Sequence, residues 1–157
     1  MTTGEDVAGI HLALVRVVSE WSESDLQRQV AEAVDVALDP SAIRALYLLG
    51  MNGGAMGFGD LAAHATLSRP TTSKLVARMA TQGVVDPVRS GRTVEVRLTD
   101  AGRTAYTRLV EAGHRMVGDA VAGWSPDEID GFRRQLGRFV TALSGTPPVV
   151  SIKEETP

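Results

Sequence analysis

The sequence predicts a mainly α protein with a small β-hairpin wing: a winged helix-turn-helix between helices at the two chain ends. Three observations carry this. Residues 60–65 and 69–82 read as two helices joined by a very brief turn. Two β-branched segments, Val84–Val88 and Thr93–Leu98, flank Arg89-Ser90-Gly91-Arg92 as a hairpin would. The first and last amphipathic segments repeat apolar residues at alternating three and four spacing, the mark of a packing seam.

In order along the chain, Val7, Ile10, Leu14, Val17 and Trp21 predict a helix over residues 5–21 with a narrow apolar stripe. Residues 22–25 interrupt it. Leu26, Val30, Ala33, Val34 and Ala37 then mark a second helix ending near Leu38. Asp39-Pro40 opens a third, with Ile43, Leu46, Tyr47 and Leu49 turned inward. The glycine-rich stretch from Gly50 to Gly59 reads as a loop.

The segment Leu67-Ser68-Arg69-Pro70-Thr71-Thr72-Ser73-Lys74 begins the most informative helix. At 100° per residue, Thr72, Leu75, Val76 and Met79 share one sector, while Ser73, Lys74, Ala77, Arg78 and Thr81 occupy the opposite one. Arg69, Pro70 and Thr71 lie in the first turn, where a helix in the major groove meets base edges. Ser68 is placed to cap the helix and Pro70 suits its first turn, so free N–H groups would face a phosphate. No acidic residue stands between Thr66 and Val85, and Gly83 is placed to end the helix. Thr99-Asp100 then starts a long helix reaching about Ala122, carrying Ala105, Leu109, Met116 and Ala120 inward. Ser125-Pro126-Asp127-Glu128 opens the last one, with Ile129, Phe132, Leu136, Phe139 or Val140, and Leu143 at seam spacing. The tail from Ser144, with Pro147-Pro148 and Glu154-Glu155, reads as disordered.

The 157 residues suit one domain. The net charge of −3 hides an asymmetry: residues 1–59 carry 3 basic and 8 acidic side chains, residues 60–110 carry 8 and 4, and residues 111–157 carry 5 and 7. A basic middle between acidic flanks is the electrostatic footprint of a protein that meets a polyanion in one place. The absence of cysteine excludes disulfides, thiolate metal sites and thiol redox sensing. No signal-peptide pattern or membrane-length apolar run occurs, which points to the cytoplasm. No phosphate loop, nucleophile elbow or His-Glu metal motif is present, and His11, His64 and His114 are scattered, so neither an enzyme nor a metal cofactor is expected. The Asp127/Asp130 carboxylates fall on the exposed side of the last helix, where capping and solvation account for them.

Gly59-Asp60-Leu61-Ala62, the run from Leu67 to Val76, Gly83-Val84-Val85, Gly91-Arg92 and Leu98-Thr99-Asp100-Ala101-Gly102, in this order, resemble the MarR family of bacterial transcriptional regulators. The resemblance covers the central third closely and the whole chain in outline. It implies a homodimer whose end segments, residues 1–38 and 100–143, interleave, and whose winged lobes, residues 39–99, read a near-palindromic double-stranded DNA operator as a repressor. Half-sites would lie roughly 10 bp apart. The DNA-facing residues it implies are Ser68, Arg69, Thr71, Ser73 and Lys74, with Arg92 at the wing tip reaching a narrow minor groove. Arg78, Arg89 and Arg97 are read as phosphate contacts or plain surface. Many relatives take a small aromatic or phenolic effector between the two kinds of lobe. Here His11, Trp21, His114 and Trp124 are the residues that could line such a pocket, against the plainer reading that they pack.

The sequence departs from the family at several points. Gly91 replaces the acidic residue that braces the wing arginine, and the wing loop is shorter. Gly57 and Gly59 stand where a capping hydroxyl is usual, and Ala65 and Thr66 replace a bulky aliphatic and a glycine. The competing reading is a winged lobe that binds another protein through the glycine-rich loop and the acidic first third.

Overall fold

The computed structural model describes residues 4–22 and 38–145. The helix expected over residues 26–37 and the tail beyond Gly145 lie outside the described residues, as does the side chain of Trp21. The elements are α1 (Gly4–Ser22), α2 (Pro40–Met51), β1 (Ala55–Gly57), α3 (Phe58–Ala65), α4 (Arg69–Thr81), β2 (Val85–Ser90), β3 (Thr93–Leu98), α5 (Asp100–Ala120) and α6 (Pro126–Ser144). They fall into two compact units, residues 1–114 and 115–157, with the division inside α5.

In the first unit, Asp39 caps α2: its carboxylate accepts the Ala42 N–H at 3.0 Å, and Pro40 occupies the first turn, where a missing N–H costs nothing. The sequence suggested a loop over residues 50–59. Instead α2 runs to Met51, Gly53 and Gly54 turn the chain at φ +76° and +93°, and β1 follows. β1 pairs antiparallel with β3, Met56 opposite Val96, and β2 pairs with β3 on its other side. The order β1-β3-β2 makes β3 the middle strand of a three-stranded sheet. Pro87 is accommodated because β2 is an edge strand.

The core gathers Leu46 and Leu49 from α2, Leu61 from α3, Met79 from α4, Val84, Val96 of β3, and Leu109 of α5, all fully buried. Tyr47 closes one side, its hydroxyl donating to the Leu109 carbonyl at 3.0 Å and its ring edge-on to Tyr106. Burial first, and Tyr106 second, hold the Tyr47 phenol above its ordinary pKa, so it stays a neutral donor. Met116 and Ala120, expected inside, are half-buried and exposed respectively. No described side chain of α1 joins this core; Val7, Ile10, Val17 and Val18 are exposed.

In the second unit, Ser125 and Glu128 form a reciprocal capping box at the start of α6, and Asp130 is paired with Arg133 and Arg134. The backbone and side-chain hydrogen bonds from Ser125 hold the Glu128 carboxyl below the usual range. Ile129, Phe132, Leu136, Val140 and Leu143 leave an exposed apolar stripe along α6.

At the start of α5, Thr99 caps the helix by accepting the Gly102 N–H at 3.0 Å, and its hydroxyl donates to the Gly83 carbonyl at 2.6 Å. A Cβ on Gly102 would lie 1.9 Å from the Val84 carbonyl oxygen. Because both partners are backbone, neither can step aside cheaply. Gly102→Ala is expected to destabilise the fold by about 3 kcal/mol, read as a lowered urea midpoint with an unchanged m-value. A midpoint equal to the wild type would mean the contact is not needed.

Candidate nucleic-acid interface

Helices α3 and α4 are joined by Thr66 to Ser68. Thr66 takes a left-handed conformation, φ 58°, ψ 40°, and the Thr66 and Leu67 amides donate to Ala63 and Ala62 carbonyls, closing α3. Ser68 then starts α4 as its N-cap. The Thr71 N–H reaches the Ser68 hydroxyl at 3.3 Å, and the Ser68 and Thr71 hydroxyls share a 2.7 Å hydrogen bond. Thr72, fully buried, turns its hydroxyl back onto the Ser68 carbonyl at 2.9 Å, which lets a polar side chain sit in the core-facing row. Burying Thr72, Leu75, Val76 and Met79 fixes the roll of α4. Arg69, Pro70, Thr71, Ser73, Lys74, Ala77, Arg78 and Thr81 are exposed as a consequence.

That exposed face has two flanks. On one, α4 and the wing enclose an open cleft of about 410 Å³ lined by Phe58, Ser73, Val76, Ala77, Pro87, Arg89 and Val94. Arg69 leans over the start of α3, its guanidinium 3.8 Å from where a Cβ on Gly59 would be. On the other flank, Arg78 is paired with Asp39, the cap of α2, and Arg44 of α2 donates to the His64 carbonyl at 3.3 Å. Pro40, Ser41 and Arg44 line a smaller cleft there with Ala65 and Leu67.

The wing differs from the expected hairpin. β2 continues through Ser90, so Arg89 and Ser90 are strand residues and only Gly91-Arg92 turns the chain. Gly91 has φ +59°, whereas Arg92 is not among the residues with positive φ. That sign pattern belongs to a type II′ turn, whose twist matches the strands. Arg92 is left exposed at the tip. Arg97 is paired with Glu95 two residues before it, which accounts for it as surface.

Of the sequence-derived positions, Ser68, Arg69, Thr71, Ser73 and Lys74 lie together on α4, and Arg89 joins Ser73 at the wing cleft. Arg78 shares the helix but is engaged by Asp39. Of the effector candidates whose side chains are described, none lines either cleft: His11 is exposed on α1, His114 is exposed on α5, and the Trp124 indole stacks edge-on against Phe132 at 5.3 Å. Sequence reasoning missed Asp39 and Arg44, since their proximity to α4 and His64 comes from folding; only the Asp-Pro cap signal pointed to α2's start. Among the described residues no cluster of three or more metal-ligating side chains occurs, and no helix is long and apolar enough to cross a membrane.

A helix of hydroxyls and cations beside a short hairpin, both held on a small helical core, defines a winged helix-turn-helix. Residues 38–93 match the MarR family. Solved structures share the fold around that segment. A MarR family protein from Bacillus stearothermophilus superposes with a TM-score of 0.72 at 24% identity, over 90% of this chain and 99% of that one. A MarR family regulator from Silicibacter pomeroyi gives 0.69 at 21% identity, over 92% and 94%. NadR in complex with 4-hydroxyphenylacetate gives 0.64 at 20%, over 88% and 97%. No curated protein matches the chain. The chain thus has the fold of these MarR family structures, built around the segment that the family model matches.

Thr66 is the one non-glycine residue with positive φ among the described residues, and it is β-branched, the worst shape for that conformation. Thr66→Gly is expected to stabilise the protein by about 1 kcal/mol, raising Tm by roughly 2–4 °C. An unchanged or lower Tm in calorimetry would show that the threonine is compensated by contacts of its own.

Proposed function

We propose that this protein is a sequence-specific DNA-binding transcriptional regulator, acting in the cytoplasm as a homodimeric repressor. The carrying observation is the exposed face of α4, where Arg69, Thr71, Ser73 and Lys74 lie with no acidic residue in the helix, beside an arginine at the wing tip. Base edges in a major groove are read by such donors, and the unpaired N–H groups at the capped helix start suit a phosphate. Ser68 supports the first turn through its cap and offers its hydroxyl to the backbone. Arg89, one residue before the end of β2, faces phosphates, and Arg92 enters the minor groove.

Dimerisation through the terminal helices is supported by the apolar side chains they leave exposed: Val7, Ile10 and Val17 on α1, and Ile129, Phe132, Leu136, Val140 and Leu143 on α6. Apolar stripes of this length are costly in water and are covered in stable assemblies. Two lobes then meet a near-palindromic operator with half-sites roughly 10 bp apart. The effector reading, a small aromatic or phenolic molecule that releases the DNA, rests on family likeness and on the 4-hydroxyphenylacetate bound by NadR. His11, Trp21, His114 and Trp124 are the residues to test for it.

Two experiments bear on this reading. Fluorescence anisotropy against duplexes tiled across the DNA flanking the gene is expected to pick out one near-palindromic tile with a steep salt slope. Lys74→Ala and Arg92→Ala should each weaken binding and flatten the slope by about 1.8, one phosphate equivalent from each protomer of the dimer. Equal, weak binding to every tile by all three proteins would favour a protein-binding lobe instead. Leu136→Glu, which puts a charge in the α6 stripe, is expected to shift the protein from dimer to monomer in analytical ultracentrifugation. A dimer unaffected by this change would move the interface elsewhere.

A further inference from the structure

We infer that Asp39 limits how strongly α4 grips DNA, by holding Arg78 in an internal ion pair that competes with phosphate. The inference rests on the DNA-binding reading above. On the helical wheel Arg78 lies about 40° from Lys74 and about 20° from Thr71, within the same exposed face. Its guanidinium nevertheless pairs with the Asp39 carboxylate, from the start of α2. That carboxylate does two jobs: one oxygen accepts the Ala42 N–H at 3.0 Å as the helix cap, and the other takes Arg78.

The cap is what makes the competition consistent. A carboxylate swinging freely on the surface would be a poor brake, because its side-chain entropy opposes pairing. Here the helix start has already fixed the Asp39 side chain, so only Arg78 has to be ordered. The brake is also mild, since both side chains remain substantially exposed, 48% for Arg78 and 39% for Asp39, and exposed pairs are screened by water and salt. A nearby phosphate can therefore draw Arg78 away at small cost. The expected effect is several-fold in affinity, which is the scale of tuning, and it acts through a sequence-independent contact.

Asp39→Asn separates the two jobs, because asparagine caps a helix as well as aspartate but carries no charge. The measurement is anisotropy with the best tile and with a scrambled duplex over a potassium chloride series. It compares the wild type, Asp39→Asn, Arg78→Ala and the double variant, each first shown to melt cooperatively. Asp39→Ser replaces the asparagine variant if that one fails to fold. Asp39→Asn is expected to bind both duplexes roughly threefold or more tightly, with a slope steeper by about 1.8, one phosphate equivalent from each protomer. Arg78→Ala should cost at least roughly threefold more affinity in the Asp39→Asn background than in the wild type. Equal cost in the two backgrounds would mean that Asp39 acts only as a distant negative charge, and would overturn the inference even if Asp39→Asn binds tighter. Unchanged affinity and slope in Asp39→Asn would overturn it too. Failure of the DNA-binding reading is told apart by the wild type itself, which would then bind neither duplex in a salt-dependent way.

Discussion

The junction of Gly83, Val84, Thr99 and Gly102 is the constraint on which the rest of this lobe depends. Four backbone stretches converge there: the end of α4, the entry to β2, the exit of β3 and the first turn of α5. The Thr99 hydroxyl and amide reach the Gly83 and Val84 carbonyls at 2.6 and 3.2 Å, and the Gly102 backbone lies directly against Val84. Because all but the short Thr99 hydroxyl are main-chain atoms, the geometry has little slack, and the roll of α4 is tied to the root of the wing. A reading helix and a wing can address one duplex together only if they cannot drift apart, and this knot supplies that coupling without a large interface.

The electrostatics of the lobe are set by subtraction as much as by addition. The sequence gives residues 60–110 twice as many basic as acidic side chains. Folding then withdraws several cations: Arg78 to Asp39, and Arg97 to Glu95. Arg103 lies over Gly54, where its guanidinium nitrogen occupies space a side chain at that position would need. What is left facing outward from α4 and the wing tip is a smaller set, Arg69, Lys74, Arg89 and Arg92. On the proposed function, so lean a set would favour discrimination between sequences over indiscriminate adhesion, because phosphate contacts add affinity for every duplex alike.

Much of this was legible in the sequence, for reasons that can be given residue by residue. The inward row of α4, the Ser68 and Ser125 caps and the glycine after α4 are all local signals, spaced within one or two helical turns. β1 was hidden because three residues, the last a glycine, have no periodicity to display; they become a strand only when Met56 meets Val96, 40 positions later. The polarity of Arg89 and Ser90 makes the turn look wider in the sequence than it is, though polarity on an edge strand is no bar to pairing. The Asp39 to Arg78 pair, like Arg44 at the helix-turn-helix connection, joins distant stretches of chain and left no pattern to find. The apolar seams of α1 and α6 were plain as spacing, and most of their described side chains stay exposed in the folded chain.

The two-residue turn at Gly91-Arg92 imposes a parity on the wing. β3 is anchored by its far half, where Val96 and Leu98 enter the core, so residues inserted symmetrically at the tip would not disturb the sheet below. Each inserted pair would advance the tip by about 3.4 Å and, because strand side chains alternate, turn its arginine to the opposite face of the ribbon. Reach and aim are thus geared together: an odd number of added rungs points the arginine away from where it pointed before, and an even number restores its side. Wings of this construction can change length in evolution only by steps that keep count.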